Sequence, residues 1–380
     1  MKCTVYINEP QYIKLKDINW DFPVHTQDTL SQLHPYPARF IESLPRMLIN
    51  SLDIPLGCAV LDPFCGSGTT LLEAQRSGYS SIGVDLNPIA CLISRTKVSS
   101  LHEDFVKVYQ EIIAKAESIF QSNIEIPSIP NLNHWFKKDI QTALASLIFC
   151  INEIEELQLK DSLMFCLSSI IVRVSNQDSD TRYAAVENNA NANDVFLEFE
   201  RSCKRLYIAK DKTDFNIEST VINKNILDVT KQDFPKPVGL VVTSPPYPNA
   251  YEYWLYHKYR MWWLGYDPIS VRNEEIGARP HYQKKNGQTE DDFASQMDSV
   301  FQLFDTCVVE NGNICIVIGR SIIKGRFINN AEIIIDIARN HGYALAADIE
   351  REISSSRKSF NLSYGKINTE NILIFKKESV

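Results

Sequence analysis

Two kinds of apolar pattern alternate along the chain. Short runs rich in β-branched and aliphatic residues, closing on polar or glycine turns, predict strands at 60–62, 82–85, 219–223, 238–242, 314–318, 345–349 and 372–375. Between them, apolar residues recur at helical spacing. Helices are expected at 41–50, from Leu71 onward, after Asn87-Pro88, and at 330–340. Strand, helix, strand, helix is the order of half a doubly wound sheet. Residues 104–122, 139–157, 161–174 and 192–207 break that order by reading as four successive helices, with Pro127 and Pro130 setting off the first. The polar stretch 175–193 predicts a mobile loop. Near the start, 12–15 predicts a short strand, and 34–40, with Pro35 and Pro37, must be extended.

The pattern implies an α/β fold: a doubly wound, mostly parallel sheet of about seven strands carrying a helical insertion. It divides the chain into a first half of the sheet at 1–98, an insertion at 99–215 and a second half at 216–380. Purely structural capping and a lid or target-recognition role fit the insertion equally well.

Two strand ends carry chemistry. Val242-Thr243-Ser244-Pro245-Pro246-Tyr247 closes an apolar run with two prolines that offer no amide hydrogens, so the turn shows carbonyl oxygens beside the Ser244 hydroxyl and an aromatic face at Tyr247. Such a turn suits a flat base with an exocyclic amine: acceptors meet the amine and the ring stacks on Tyr247. Stacking uses the ring alone, which makes the Tyr247 hydroxyl dispensable. The second end is Asp62-Pro63-Phe64-Cys65-Gly66-Ser67-Gly68-Thr69-Thr70, a glycine turn running into a helix whose first amides are free. About 20 residues on, Asp85 ends the next strand, where an α/β nucleotide site holds ribose hydroxyls.

The turn lacks the third glycine of a dinucleotide fingerprint and the Gly-Lys-Ser/Thr of a phosphate-gripping loop. Its leading Asp62 repels phosphate and attracts an ammonium. S-Adenosyl-L-methionine has an ammonium, a ribose and no phosphate.

These two motifs together resemble those of the amino-group DNA methyltransferases, particularly the cytosine-N4 type, whose catalytic turn commonly begins with serine. Leu33-His34-Pro35-Tyr36-Pro37-Ala38-Arg39-Phe40 is similar to that family's N-terminal cofactor motif, and residues 249–265 and the end strand 369–375 extend the likeness to about half the chain. The resemblance implies a Rossmann-like S-adenosylmethionine-dependent fold. It places Ser244, Pro245, Pro246 and Tyr247 at the target base. On the cofactor it places His34, Pro35, Asp62, Pro63, Phe64, Gly66, Ser67, Gly68, Thr69, Asp85, Leu86, Asn87 and, near the adenine amine, Asp228. For His34 a structural role fits better than catalysis. The implied reaction is methylation of cytosine N4 in double-stranded DNA, with a cognate restriction endonuclease as a further partner. Adenine N6 is the nearest alternative, an RNA amino group the next, and a non-catalytic nucleic-acid-binding subunit the alternative of another class.

Composition changes this picture little. The 380 residues, 44% hydrophobic, suffice for a sizeable core. No long uncharged apolar run and no secretory pattern is present, so a cytoplasmic protein is expected. Nine cysteines without a Cys-x-x-Cys pair imply buried reduced thiols, and Cys65 reads as packing because the cytosine-C5 chemistry that uses a cysteine wants Pro-Cys where this chain has Pro246-Tyr247. Seven scattered histidines, His134, His257 and His281 among them, show no metal-ligand spacing, and the chemistry needs no metal. The net charge of -8 disfavours nucleic acid as a whole. Basic residues nevertheless gather at 257–285 and at Arg351, Arg357, Lys358 and Lys366, while acids gather at 103–125 and 152–161, which predicts one basic face.

Overall fold

In the computed structural model, residues 2–22, 29–37, 39–211, 217–249, 251–352 and 369–378 are described. Ten strands occur in chain order among them: β1 Lys2–Val5, β2 Ala59–Asp62, β3 Ser81–Asp85, β4 Ser219–Asn223, β5 Val238–Thr243, β6 Val308–Gly319, β7 Ser321–Ile323, β8 Arg326–Ile328, β9 Tyr343–Glu352 and β10 Thr369–Lys377. Eight form one sheet in the order β1-β9-β10-β6-β5-β2-β3-β4, and β7 pairs with β8 in a separate hairpin.

Strands β2 to β6 run parallel, as chains returned by helices do. All residues of β2 and β5 are buried, which is why they read as unbroken apolar runs. From β2 the chain steps to β3 on one side, and β5 flanks β2 on the other, so a crevice opens at the carboxyl ends of β2 and β5. Beyond β6 the sheet turns antiparallel through β10, β9 and β1.

The seven predicted strands all form, and β1 adds an eighth on the edge of β9. The expected strand at 12–15 is instead a turn of α-helix, Pro10–Ile13, running into a 3-10 turn, Lys14–Asp17. Pro10 at the first helical position starts it, and Tyr12 is buried with its hydroxyl donating to Asn313 Oδ1 at 2.6 Å. The helix Glu290–Cys307 was not anticipated, although its Thr289/Asp292 capping box is a sequence signal.

The insertion forms helices Phe105–Ile119, Lys138–Asn152, Leu157–Ile170 and Ala192–Lys210. The second and third part at 153–156, where the Glu156 carboxylate accepts the amides of Gln158 and Leu159. Their apolar faces share one core with the helix Pro88–Val98, which follows β3, and with the aromatic helix Tyr253–Trp263. Arg95 Nε pairs with Asp161 across that joint at 2.6 Å. The polar stretch expected to be mobile is tied down: Asn188 Nδ2 donates to the carbonyls of Arg173 and Ser175, both at 2.8 Å, and Asp180 pairs with the buried Arg260.

Candidate active site

The carboxyl ends of β2, β3 and β5 meet around a cleft of about 260 Å³, close to the ~300 Å³ at which small-molecule sites begin. Asp62 ends β2 and Thr243 ends β5, and the Thr243 hydroxyl donates to Asp62 Oδ1 at 2.7 Å. One hydrogen bond thus locks the two motifs, 181 residues apart, to a common wall. The Phe64 amide donates to the same Asp62 oxygen at 3.2 Å. Burial pushes the Asp62 carboxyl up to about 6, against the pull of the Thr70, Thr243 and Phe64 hydrogen bonds.

Asp85 holds the turn from β3. Its Oδ2 accepts the Gly66 amide and its Oδ1 the Asn87 amide, each at 2.8 Å. Burial raises this carboxyl too, to about 6. Each oxygen keeps a lone pair for a hydroxyl of a ligand. Asn87 caps the helix Pro88–Val98 through its Oδ1, while its buried Nδ2 has no hydrogen-bond partner among the described residues. A buried donor on the cleft wall is a costly feature unless a ligand acceptor meets it. The two carboxylates and this donor fit an ammonium and a ribose, and nothing in the set suits a phosphate.

The two glycines of the turn do different work. Gly66 has φ +48, and a Cβ there would lie 3.1 Å from the Tyr36 hydroxyl, so the turn and Tyr36 close against each other. Gly68 has φ +74, and its added Cβ would meet Ser94 Oγ at 2.8 Å, on the side away from the cleft. Gly68 therefore serves close packing of helix on turn. Cys65 is buried beside Gly83, where an added Cβ would come within 2.9 Å of Cys65 Sγ; burial pushes its thiol well up, as a packing residue requires. All nine cysteines are free, and only Cys3 is not buried.

The structure gathers most of the predicted residues on the cleft: Asp62, Pro63, Phe64, Gly66, Ser67, Thr69, Asp85, Leu86 and Asn87 on one side, and Ser244, Pro245, Pro246 and Tyr247 on the other. His34, Pro35, Gly68 and Asp228 are not part of its lining. His34 is buried behind it, bonded to Ser168 Oγ at 3.0 Å and packed on Phe165, which is the structural role. Asp228 stands exposed on the 3-10 turn Ile226–Asp228, and Asn225 and Ile226 face the cleft instead. A turn of this kind puts neighbouring side chains on different faces, a phase that sequence spacing does not fix.

Other lining groups carried no local signal. Gly277 has φ +76, and a Cβ on it would press on the Tyr247 and Pro246 carbonyls at 2.9 and 3.1 Å. Gly319 ends β6 under the Tyr247 ring, 3.0 Å from Cε2 for an added Cβ. Glu275 is buried on the cleft, and its two oxygens accept the amides of Tyr253 and Trp254 at 2.9 and 2.8 Å, capping the aromatic helix; burial pushes its carboxyl up to about 8. That helix lends the site Tyr253, which stacks on Tyr36 with ring centroids 5.9 Å apart.

The expected basic face is only partly present. Arg260 is fully buried, donating to the Ser168 carbonyl and paired with Asp180, and Arg351 is buried against Glu370. Lys258 lies over the Tyr183 ring at 3.9 Å, whereas Lys284 and Lys285 are exposed. Arg357, Lys358 and Lys366 lie outside the described residues. Among the described residues no cluster of metal-ligating side chains occurs, and no helix is long and apolar enough to cross a membrane. None of residues 99–215 lines the cleft, so the expectation of a lid finds no contact there.

A switch-point crevice carrying a glycine turn, an acidic strand end and an acceptor turn, on a largely parallel sheet, defines a Rossmann-like methyltransferase domain. Residues 4–96 match the family model described as DNA methylase. The chain is 27% identical over 250 residues to the type II methyltransferase M.MvaI of Kocuria varians, across 60% of this chain and 55% of that one. It is 24% identical over 271 residues to the type II methyltransferase M.BsoBI of Geobacillus stearothermophilus, across 62% and 53%. With the type II methyltransferase M.MjaII of Methanocaldococcus jannaschii it shares 32% identity over 93 residues, across 24% and 17%. The chain spans about half the length of M.MvaI and M.BsoBI. The rRNA methyltransferase aviRa of Streptomyces viridochromogenes superposes with a TM-score of 0.35 at 11% identity, covering 92% of this chain and 90% of that one. Over the matched segment this chain belongs with the amino-group DNA methylases. Their cofactor, S-adenosyl-L-methionine, is the one to which Asp62 and the lysine-free turn pointed.

Proposed function

We propose that the chain is a site-specific DNA methyltransferase acting on the exocyclic N4 amine of a cytosine flipped out of duplex DNA. The observation that supports this reading most is the Thr243–Asp62 hydrogen bond, which sets the acceptor turn and the cofactor turn side by side in one cleft. When bound, S-adenosyl-L-methionine supplies a sulfonium methyl group that needs little activation. What remains for the protein is placement.

Asp62 faces the ammonium end and Asp85 and Asn87 the ribose, while Tyr36 closes over the glycine turn. Ser244 Oγ and the proline carbonyls accept from the amine, and the Tyr247 ring stacks on the base. Tyr247 is held for that purpose, pressed on Gly319 from below and backed by Gly277. A small ring with one stacking face favours cytosine over adenine, and serine at 244 agrees with the N4 type. Double-stranded DNA is the macromolecular partner in this reading, a restriction endonuclease its functional companion, and the cytoplasm its place. Nucleoside mass spectrometry of unmodified DNA treated with the purified protein and cofactor tests it: N4-methylcytosine is expected. N6-methyladenine alone would keep the mechanism and overturn the base, and 5-methylcytosine would overturn both.

A further inference from the structure

Past Tyr247 the cleft wall carries two groups that base stacking does not use. The Tyr247 hydroxyl lies 3.4 Å from Ser244 Oγ and 3.4 Å from Glu370 Oε2. Glu370 Oε1 in turn accepts from Arg351 Nη1 at 3.0 Å, with the two side chains only 15% and 4% exposed. The sheet itself builds this row: Glu370 of β10 sits in register with Gly319 of β6 on one side and Arg351 of β9 on the other, and Tyr247 lies on Gly319. Ser244, Tyr247, Glu370 and Arg351 all line the cleft.

A row of hydroxyls ending on a carboxylate has a direction. The carboxylate paired with arginine only accepts, so the Tyr247 hydroxyl donates to it; the Tyr247 oxygen is then free to accept the Ser244 proton. Ser244 Oγ is left facing the cleft with lone pairs. It can hold an amine and repels a carbonyl oxygen. Turned the other way, the same serine would donate and select the wrong edge of a base.

We infer that Glu370, paired with Arg351, sets the polarity of the Ser244 turn and receives the proton that the target amine releases. This rests on the amine-methylating reading above. As the amine lone pair forms the N–CH3 bond and the S–CH3 bond breaks, the nitrogen carries one proton too many. That proton passes to Ser244 Oγ, the Ser244 proton to Tyr247 Oη, and the Tyr247 proton to Glu370 Oε2. Both hydroxyls end as they began, and Glu370 becomes a carboxylic acid that returns its proton to water. Contacts of 3.4 Å are loose for such a transfer; hydrogen bonds of this kind commonly tighten only once substrate is bound.

The test compares the full-length wild type with Tyr247→Phe, Glu370→Gln and the double variant. Its readouts are single-turnover methylation of unmodified DNA with labelled cofactor, and cofactor affinity by calorimetry. Each single variant is expected to lower the methylation rate about 100-fold, the scale of proton-transfer assistance, with cofactor affinity and the KM for DNA unchanged. The double variant should be no slower than either single one, because both cut the same row. Tyr247→Phe leaves the Arg351–Glu370 pair intact, so a folding defect in Glu370→Gln would not silence the test. An active wild type whose single variants stay within about twofold, or whose losses multiply in the double variant, would overturn the assignment. A wild type that transfers no methyl group to DNA would overturn the reading beneath it, and the assignment with it.

Discussion

The two sides of the cleft are built in opposite ways. The cofactor side comes from one continuous stretch, residues 62–87, in which a strand end, a glycine turn and the next strand end hold one another through backbone amides given to Asp62 and Asp85. The base side is assembled from Ser244 to Tyr247, Gly277, Gly319, Arg351 and Glu370, drawn from separate elements and fixed by sheet register and van der Waals contact. Backbone-built sites tolerate change in their surroundings and fail when a local residue is lost. Register-built sites fail when any distant contributor moves.

The sharpest way to separate the two is Gly319→Val. A side chain under the Tyr247 ring displaces the stacking surface while touching nothing on the cofactor side. Methyl transfer should fall about 100-fold, the scale associated with an ångström of misplacement, and calorimetric affinity for cofactor should hold. Loss of both together would mean that the sides are not independent. Asp85→Ala is the reciprocal change. It should weaken cofactor binding by about 1.5 to 3 kcal/mol, the range for hydrogen bonds to a charged group, with DNA binding in a gel-shift titration unaltered. Unchanged cofactor affinity would remove Asp85 from the site.

Acidity offers a finer probe. Asp62 and Asp85 both titrate near 6 in the fold, against an ordinary value of 3.8. Groups raised in this way favour the folded state fully below the ordinary value, and that contribution is lost as pH rises through about 6. Cofactor contacts need the ionised forms. Lowering the pH from ~7 to ~5 should therefore stabilise the free protein in thermal unfolding while weakening cofactor binding about tenfold per carboxylate. A flat affinity profile would mean that neither carboxylate meets the ligand in its charged form. The smallest effect is expected at Glu275→Ala, which removes the cap of the aromatic helix and should cost about 1 kcal/mol of stability, the usual worth of an N-cap. A thermal midpoint that does not move would show that the helix is held by packing alone.

The same contrast explains what the sequence disclosed. The sheet was legible because parallel strands buried on both faces are unbroken apolar runs, and the cofactor turn because its glycines and carboxylates act on neighbours within a few residues. Ser244 to Tyr247 was legible for a similar reason: two prolines strip a turn of donors wherever it sits. Glu370, Arg351 and Gly319 were not, since nothing near them in sequence says that β6, β10 and β9 align at that level. The Tyr247 hydroxyl looked dispensable for this reason, and the fold gives it two partners. Asp228 went astray through the phase of a short turn, and Tyr12 through a proline-started helix too short to show a period. Arg260, counted toward a basic face, points inward, because a charge tally along the chain carries no direction.

One contact limits what can be exchanged between proteins of this architecture. Lys97 Nζ, buried at the end of the helix after β3, donates to the Ser67 carbonyl at 2.8 Å, and Lys210, from the last helix of the insertion, donates to the Lys97 carbonyl at 3.0 Å. The insertion reaches the glycine turn in two steps while lending the cleft no residue. It is a bolt-on segment in the sequence and a keystone in the fold. A chimera that replaced residues 99–215 to borrow another DNA specificity would loosen the roof of the cofactor turn as well, and would need Lys210, or a substitute of equal reach, carried along with the graft.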